Sequence, residues 1–100
     1  MNPGSGEPPE ATARRYFLSY RGVKLPLQLL EELPESALSN RNTWFCAYYD
    51  AQGRICGIDK LVYGEVEMRH RYEYRDDGAL NLASITVGDD DPRFIHFAAG

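Results

Sequence analysis

The chain has 100 residues, enough for one domain and too few for a second core. Hydrophobic residues make up 43% and aromatics 12%, which excludes a disordered composition and supplies a real core. The formal net charge of −4 argues against a protein held to nucleic acid mainly by charge, and no apolar run approaches the roughly 18 residues of a membrane span.

Residues 1–14 are rich in Gly, Pro, Ser and Glu, without apolar periodicity or a stretch resembling a signal peptide. They are expected to form a disordered N-terminal tail on a cytosolic protein. From Arg15 the apolar period is two, with Tyr16, Leu18 and Tyr20 alternating along a strand. Arg21-Gly22 then reads as a tight turn into a second strand over residues 23–30, carried by Val23, Leu25, Leu27 and Leu29. Pro26 cannot donate to a ladder, so this strand belongs at a sheet edge. The same stretch, bracketed by Pro26 and Pro34, also fits a short helix, so residues 23–33 stay open between strand and partial helix. Residues 34–39 read as one helical turn, and residues 43–49, TWFCAYY, as an aromatic strand.

Two segments 25 positions apart repeat one pattern: YYDAQGRI at 48–55 and EYRDDGAL at 73–80. In each, a tyrosine is followed by polar or small residues, a glycine and an aliphatic residue. Asp or Asn-like acceptors followed by Gly mark a type I turn closed by a left-handed residue, the three-residue hairpin loop with a bulge. The repetition therefore marks hairpins, and its chemistry is that of a turn. A further turn is placed at Gly64-Glu65. The remaining strands are 54–63, 66–74, 79–87 and 93–97. Residues 15–97 thus read as one all-β domain: a single antiparallel meander of about seven strands, forming a strongly curved sheet or a half-open small barrel.

Turn geometry sets register. Counting outward from the three turns pairs Asp59 with His70 and His70 with Ser84, on a face otherwise made of Phe45, Ala47, Tyr49, Ile55, Gly57, Leu61, Tyr63, Val66, Met68, Tyr72, Tyr74, Leu80 and Leu82. The three polar residues, with Tyr72 beside them, are the candidate ligand-binding group. A Ser-His-Asp nucleophile is the sharper interpretation, but a flat sheet face supplies no oxyanion donors and nothing resembles Gly-x-Ser-x-Gly. A satisfied buried polar cluster is the plainer one, and a small-molecule site at the mouth of the sheet lies between them. A one-residue slip in register would dissolve the group.

Other chemistry is sparse. Cys46, Cys56, His70 and His96 match no zinc spacing, so no metal or other cofactor is expected. Cys46 and Cys56 fall on the face opposite His70 as a diagonal pair, expected to remain free thiols. Arg54, Lys60, Arg69 and Arg71 share that second face with Trp44 and Tyr48, an interleaving that single-stranded nucleic acid can use. Glu65, Glu67 and Glu73 lie there too, which makes it an ordinary mixed surface. Asp89, Asp90 and Asp91 lack the spacing of a calcium loop.

The pieces YRGVKLPL, NRNTWF and KLVYGEVEMRHRYEY, across residues 15–87, resemble a small family of bacterial proteins known only as a domain of unknown function. The hairpin pieces are also similar to the tyrosine-aspartate (YD) repeats of large bacterial proteins, where many copies build β-shells. Neither resemblance implies an activity. The expectation is a non-catalytic binding or protein-interaction module with an unidentified protein partner, of open oligomeric state and without a membrane or nucleic-acid role. The alternative is a small-molecule binder using Asp59, His70 and Ser84.

Overall fold

The computed structural model describes residues 7–22 and 24–97. Within them seven strands form one antiparallel sheet: β1 Ala13–Arg21, β2 Gln28–Leu33, β3 Thr43–Tyr49, β4 Ile55–Val62, β5 Glu65–Tyr74, β6 Leu80–Val87 and β7 Arg93–His96. The spatial order is β2-β1-β3-β4-β5-β6-β7. The chain meanders from β3 to β7, while β1 lies between β2 and β3. The β2–β3 connection therefore passes the end of β1, and it carries a 3-10 turn at Glu35–Asn40.

The ambiguous stretch after β1 resolves into a bend at residues 24–26 followed by strand β2. Pro26, after a cis peptide with Leu25, precedes the strand, and β2 is an edge strand. The proposed start of that strand at Val23 lies outside the described residues. The tail expectation needs correction for residues 7–14: β1 begins at Ala13, Pro8 is buried, and the Thr12 amide donates to the Tyr49 carbonyl at 2.8 Å. Composition alone hid this, because the segment is held by contacts made elsewhere in the chain. Residues 1–6 lie outside the described residues.

The sheet is not closed, and each face carries its own core. On the concave face Leu27, Phe45, Ile58, Tyr72 and Ala83 are buried, with Leu25 from the β1–β2 connection and Phe97 after β7 packed against the same cluster. Contributions from opposite ends of a seven-stranded sheet can meet only if the sheet curls. On the other face Cys46, Tyr48 and Cys56 are buried among Ala11, Tyr16, Trp44 and Leu61. Residues 7–12 form an arm over this second face.

The two repeated turns form as their sequence dictates. Gly53 and Gly78 have φ of 80° and 89°. Their amides donate to the carbonyls of Asp50 and Arg75, both at 2.9 Å. The Asp50 carboxylate accepts the amides of Gln52 and Arg54, and the Asp77 carboxylate accepts that of Ala79, so each loop carries its own acceptor. The third turn is Tyr63-Gly64 rather than Gly64-Glu65: Val62 pairs with Glu65, and Tyr63 and Gly64 have φ of 51° and 81°. Two consecutive positive φ values are the signature of a type I′ hairpin.

Each of the three central hairpins holds one extra residue on its second strand. Tyr49 pairs with Ile55 but Tyr48 with Gly57, leaving Cys56 as the bulge. Leu61 pairs with Val66 but Lys60 with Met68, leaving Glu67. Tyr74 pairs with Leu80 but Glu73 with Leu82, leaving Asn81. A single extra residue inverts the facing of everything beyond it on that strand.

Candidate functional site

The bulges decide where the four candidate residues lie. His70 pairs with Ile58 and Ile85 on the concave face, whereas Asp59 pairs with Cys46 and Arg69 on the other. Ser84 pairs with Arg71 and Phe94. Asp59, His70 and Ser84 are therefore not neighbours on one face, and the predicted cluster does not assemble. Of the four, the structure brings together His70 and Tyr72, on one strand and one face.

Asp59 is the centre of a separate polar network. Its side chain is 2% exposed. Oδ1 accepts from Arg69 Nε at 3.2 Å and from Arg71 Nη1 at 3.0 Å, and Oδ2 accepts from the Tyr48 hydroxyl at 3.2 Å. Arg71 Nη1 also donates to the His70 carbonyl at 2.7 Å, and its guanidinium lies 5.3 Å from the centre of the Tyr48 ring. Burial pushes the Tyr48 hydroxyl well above its ordinary range, aided by Cys46 and Asp59. Burial likewise pushes the Cys46 and Cys56 thiols up to about 11. Both cysteines are free. A carboxylate shared by two guanidinium groups and a phenol is a satisfied ionic core, with its acceptor positions already used.

His70, 4% exposed, places Nδ1 2.6 Å from the Tyr72 hydroxyl. That hydroxyl oxygen accepts the Leu27 amide at 3.4 Å. Among the described residues Nδ1 is the acceptor that stands against the buried phenol proton, and burial disfavours the imidazolium; the assignment that satisfies the hydroxyl has Tyr72 donating to Nδ1 of a neutral ring that carries its own proton on Nε2. Burial lowers the His70 pKa from its ordinary 6.5, and the Arg71 charge lowers it further. Among the described residues the hydrogen-bonding partner of this imidazole is the Tyr72 hydroxyl, which in turn holds the Leu27 backbone.

Two adjoining clefts of about 340 and 370 Å3 open beside the arm, sharing Glu10, Cys56, Tyr72 and Glu73. Asp50 and Arg54 rim the first, Glu7 and Arg71 the second. Among the described residues, no group of three His, Cys, Asp or Glu side chains is placed to hold a metal ion, and no helix is long and apolar enough to cross a membrane.

The remaining feature is an edge. β7 pairs with β6 on one side and, among the described residues, with nothing on the other. Phe94 is 58% and Ile95 39% exposed. The Phe97 amide bonds to the Asn81 carbonyl, at the bulge. In an antiparallel ladder this phase turns the N–H and C=O groups of Phe94 and His96 outward. The opposite edge is protected: in β2, Glu31 takes φ of 61° and Glu32 is bound by Arg15 at 3.0 Å.

Sequence reasoning grouped Arg69, Arg71 and Tyr48 on the second face but did not give them Asp59. The available signal was charge: two adjacent outward arginines on β5 call for an acid on β4. It also passed over the β7 edge, since exposed edges follow from strand order, which turns do not reveal.

These features define a small antiparallel-sheet domain with two thin cores, a buried ionic network and one open edge strand. The chain belongs to the Family of unknown function (DUF6156), whose sequence model matches residues 9–100. No curated protein and no solved structure matches it.

Proposed function

We propose that this domain is a non-catalytic interaction module of the cytosol that docks an extended segment of a partner protein along β7. The observation that carries it is the β7 edge, which has no partner strand among the described residues: outward backbone groups at Phe94 and His96, flanked by the exposed side chains of Phe94 and Ile95 on alternate faces. An added strand gains main-chain hydrogen bonds from such an edge and side-chain selectivity from the residues on its two faces. The buried unpaired thiols fit a reducing compartment. The basic residues considered for nucleic acid are engaged within the domain: Arg54 with Asp50, Lys60 with Glu67, and Arg69 and Arg71 with Asp59.

Small-molecule binding through Asp59, His70 and Ser84 loses its geometric basis with their separation. Its remaining support is the pair of clefts near Tyr72, whose size is that of a small-ligand site. Their rims are acidic and they lie open beside the arm, which makes them the weaker candidate.

The test is selection of short peptides from a random display library against the full chain, followed by NMR mapping of the bound state. Selected peptides should alternate apolar and polar residues and shift the amides of Phe94 and His96. Ile95→Lys, on an already exposed side chain, should abolish binding without unfolding the domain. Peptides that shift Cys56 and Glu73 instead, or that bind Ile95→Lys unchanged, would overturn the β7 assignment.

A further inference from the structure

We propose that His70, Tyr72 and the Leu27 backbone form a proton-sensitive latch, which holds the β1–β2 connection on the concave face at neutral pH and releases it in acid. The latch is a chain of donors with one direction. The Leu27 amide donates to the Tyr72 hydroxyl oxygen at 3.4 Å, and the Tyr72 hydroxyl donates to His70 Nδ1, 2.6 Å away. Tyr72 is 2% exposed and His70 4%, so water does not substitute for any member.

A proton added to the ring goes on Nδ1, the acceptor. Nδ1–H and the Leu27 amide then both point at the Tyr72 oxygen, and the phenol proton is left without an acceptor inside the core. An unmade buried hydrogen bond and an unpaired buried charge are both strongly unfavourable. Among the described residues no compensating carboxylate acts on the ring. β4 presents Ile58 opposite it, with Lys60 two residues on; β6 presents Ile85, with Ala83 beside it; the connection presents Leu25 and Leu27. On β5 itself the flanking charges are Arg69 and Arg71, both turned to Asp59 on the other face. The electrostatic influence that reaches the ring is that of Arg71, which is repulsive to an imidazolium.

The strain is relieved where the cover is weakest. β4 and β6 pair with β5 on either side of His70, through Gly57 to Lys60 and through Leu82 to Val87. Residues 24–27 belong to no strand and touch the core through Leu25, Leu27 and one long hydrogen bond. Releasing them hydrates the ring and frees the phenol while leaving the sheet paired. Because burial holds the imidazole below its ordinary 6.5, the transition falls on the acid side of that value.

The experiment is amide hydrogen exchange at Leu27 read beside NMR titration of the His70 ring in the full chain, from about pH 7.5 to about pH 5. After division by the intrinsic exchange rate, protection at Leu27 should fall by about tenfold for each pH unit between the imidazole's ordinary 6.5 and the ring's own lower midpoint, where it is lost, while Ile58 keeps its protection. His70→Asn offers Tyr72 an acceptor that does not titrate, so its Leu27 protection should stay flat. Tyr72→Phe should leave Leu27 unprotected at both ends of the range. Leu27 protection that does not change with pH, or a loss that persists in His70→Asn, would overturn the latch. If His70→Asn does not fold, the parent protein decides: a Leu27 midpoint displaced from the ring's midpoint rejects the proposal.

Discussion

Asp59 is the residue on which the second face is organised. Its burial is tolerable because two guanidinium groups and the Tyr48 hydroxyl replace its water. Removing it takes away the carboxylate that the Arg69 and Arg71 guanidinium groups share. Those side chains keep 31% and 20% of their exposure, so water screens part of the resulting repulsion. Asp59→Ala should therefore cost about 3 kcal/mol, the low end for breaking a buried ion pair, as read from the denaturant midpoint at neutral pH. A variant within about 0.5 kcal/mol of the parent would show the network to be incidental. Had Asp59 faced His70, as counting from the turns suggested, His70→Ala would have stranded a carboxylate. It does not, and the cost of that change lies in the cavity and in the orphaned Tyr72 hydroxyl.

At the scale of elements, hairpins were the most legible part of the chain. Asp and Gly at fixed offsets announce positive φ and a local acceptor, and both repeated turns form on that plan. Register is right beside the two repeated turns, where Tyr49 meets Ile55 and Tyr74 meets Leu80, wrong beyond them, and off from the start at the misplaced third turn. β3 and β5 present the expected faces, with Phe45 and Ala47 on one strand and Met68, His70 and Tyr72 on the other. β4 and β6 are inverted past Cys56 and Asn81, which carries Asp59 and Ser84 to the opposite side. Nothing in composition marks these bulges. β4 runs Ile-Cys-Gly-Ile-Asp-Lys-Leu-Val, with apolar residues on both faces, so a slip of one leaves an acceptable pattern. Both faces of this sheet are covered, and the alternation that pins register in a one-sided sheet is therefore weak. The turns themselves allow a direct test. Gly53→Ala and Gly78→Ala each force a Cβ into the left-handed region without meeting any neighbour, so each should cost about 1 kcal/mol through backbone strain alone. The drop should appear in thermal midpoints, and Gly53→Asn, which tolerates that region, should recover most of it. An alanine variant as stable as the parent would contradict the turn geometry.

At the scale of the whole molecule, a single sheet this thin needs cover on both faces, and two segments outside the regular ladder supply it. The β1–β2 connection covers the concave face; residues 7–12 cover the other. Gly57 shows how closely the arm is fitted: a Cβ there would stand 2.9 Å from Pro8 Cγ and 2.8 Å from Arg71 Nη1. Arg71 Nη1 is the far end of a flexible side chain and can swing aside, whereas the contact with Pro8 is relieved by moving the arm. Gly57→Ala should then lift the arm from Cys56, at a cost of about 1–3 kcal/mol for the overpacked contact. Cys56 gives the readout. Its thiol is 2% exposed and pushed up to about 11, so at pH 7 about one molecule in ten thousand carries the thiolate and alkylation of the parent should be slow. Lifting the arm returns water to the sulfur and brings its pKa back toward the ordinary 9.0, raising both access and thiolate fraction. Mass spectrometry after timed alkylation under native conditions should show Cys56 labelled faster in Gly57→Ala. Cys46, whose burial also involves Tyr48 and Trp44 beside it, should change less. Equal labelling of Cys56 in the two proteins, with equal thermal midpoints, would show that the arm rests on this face without holding it shut.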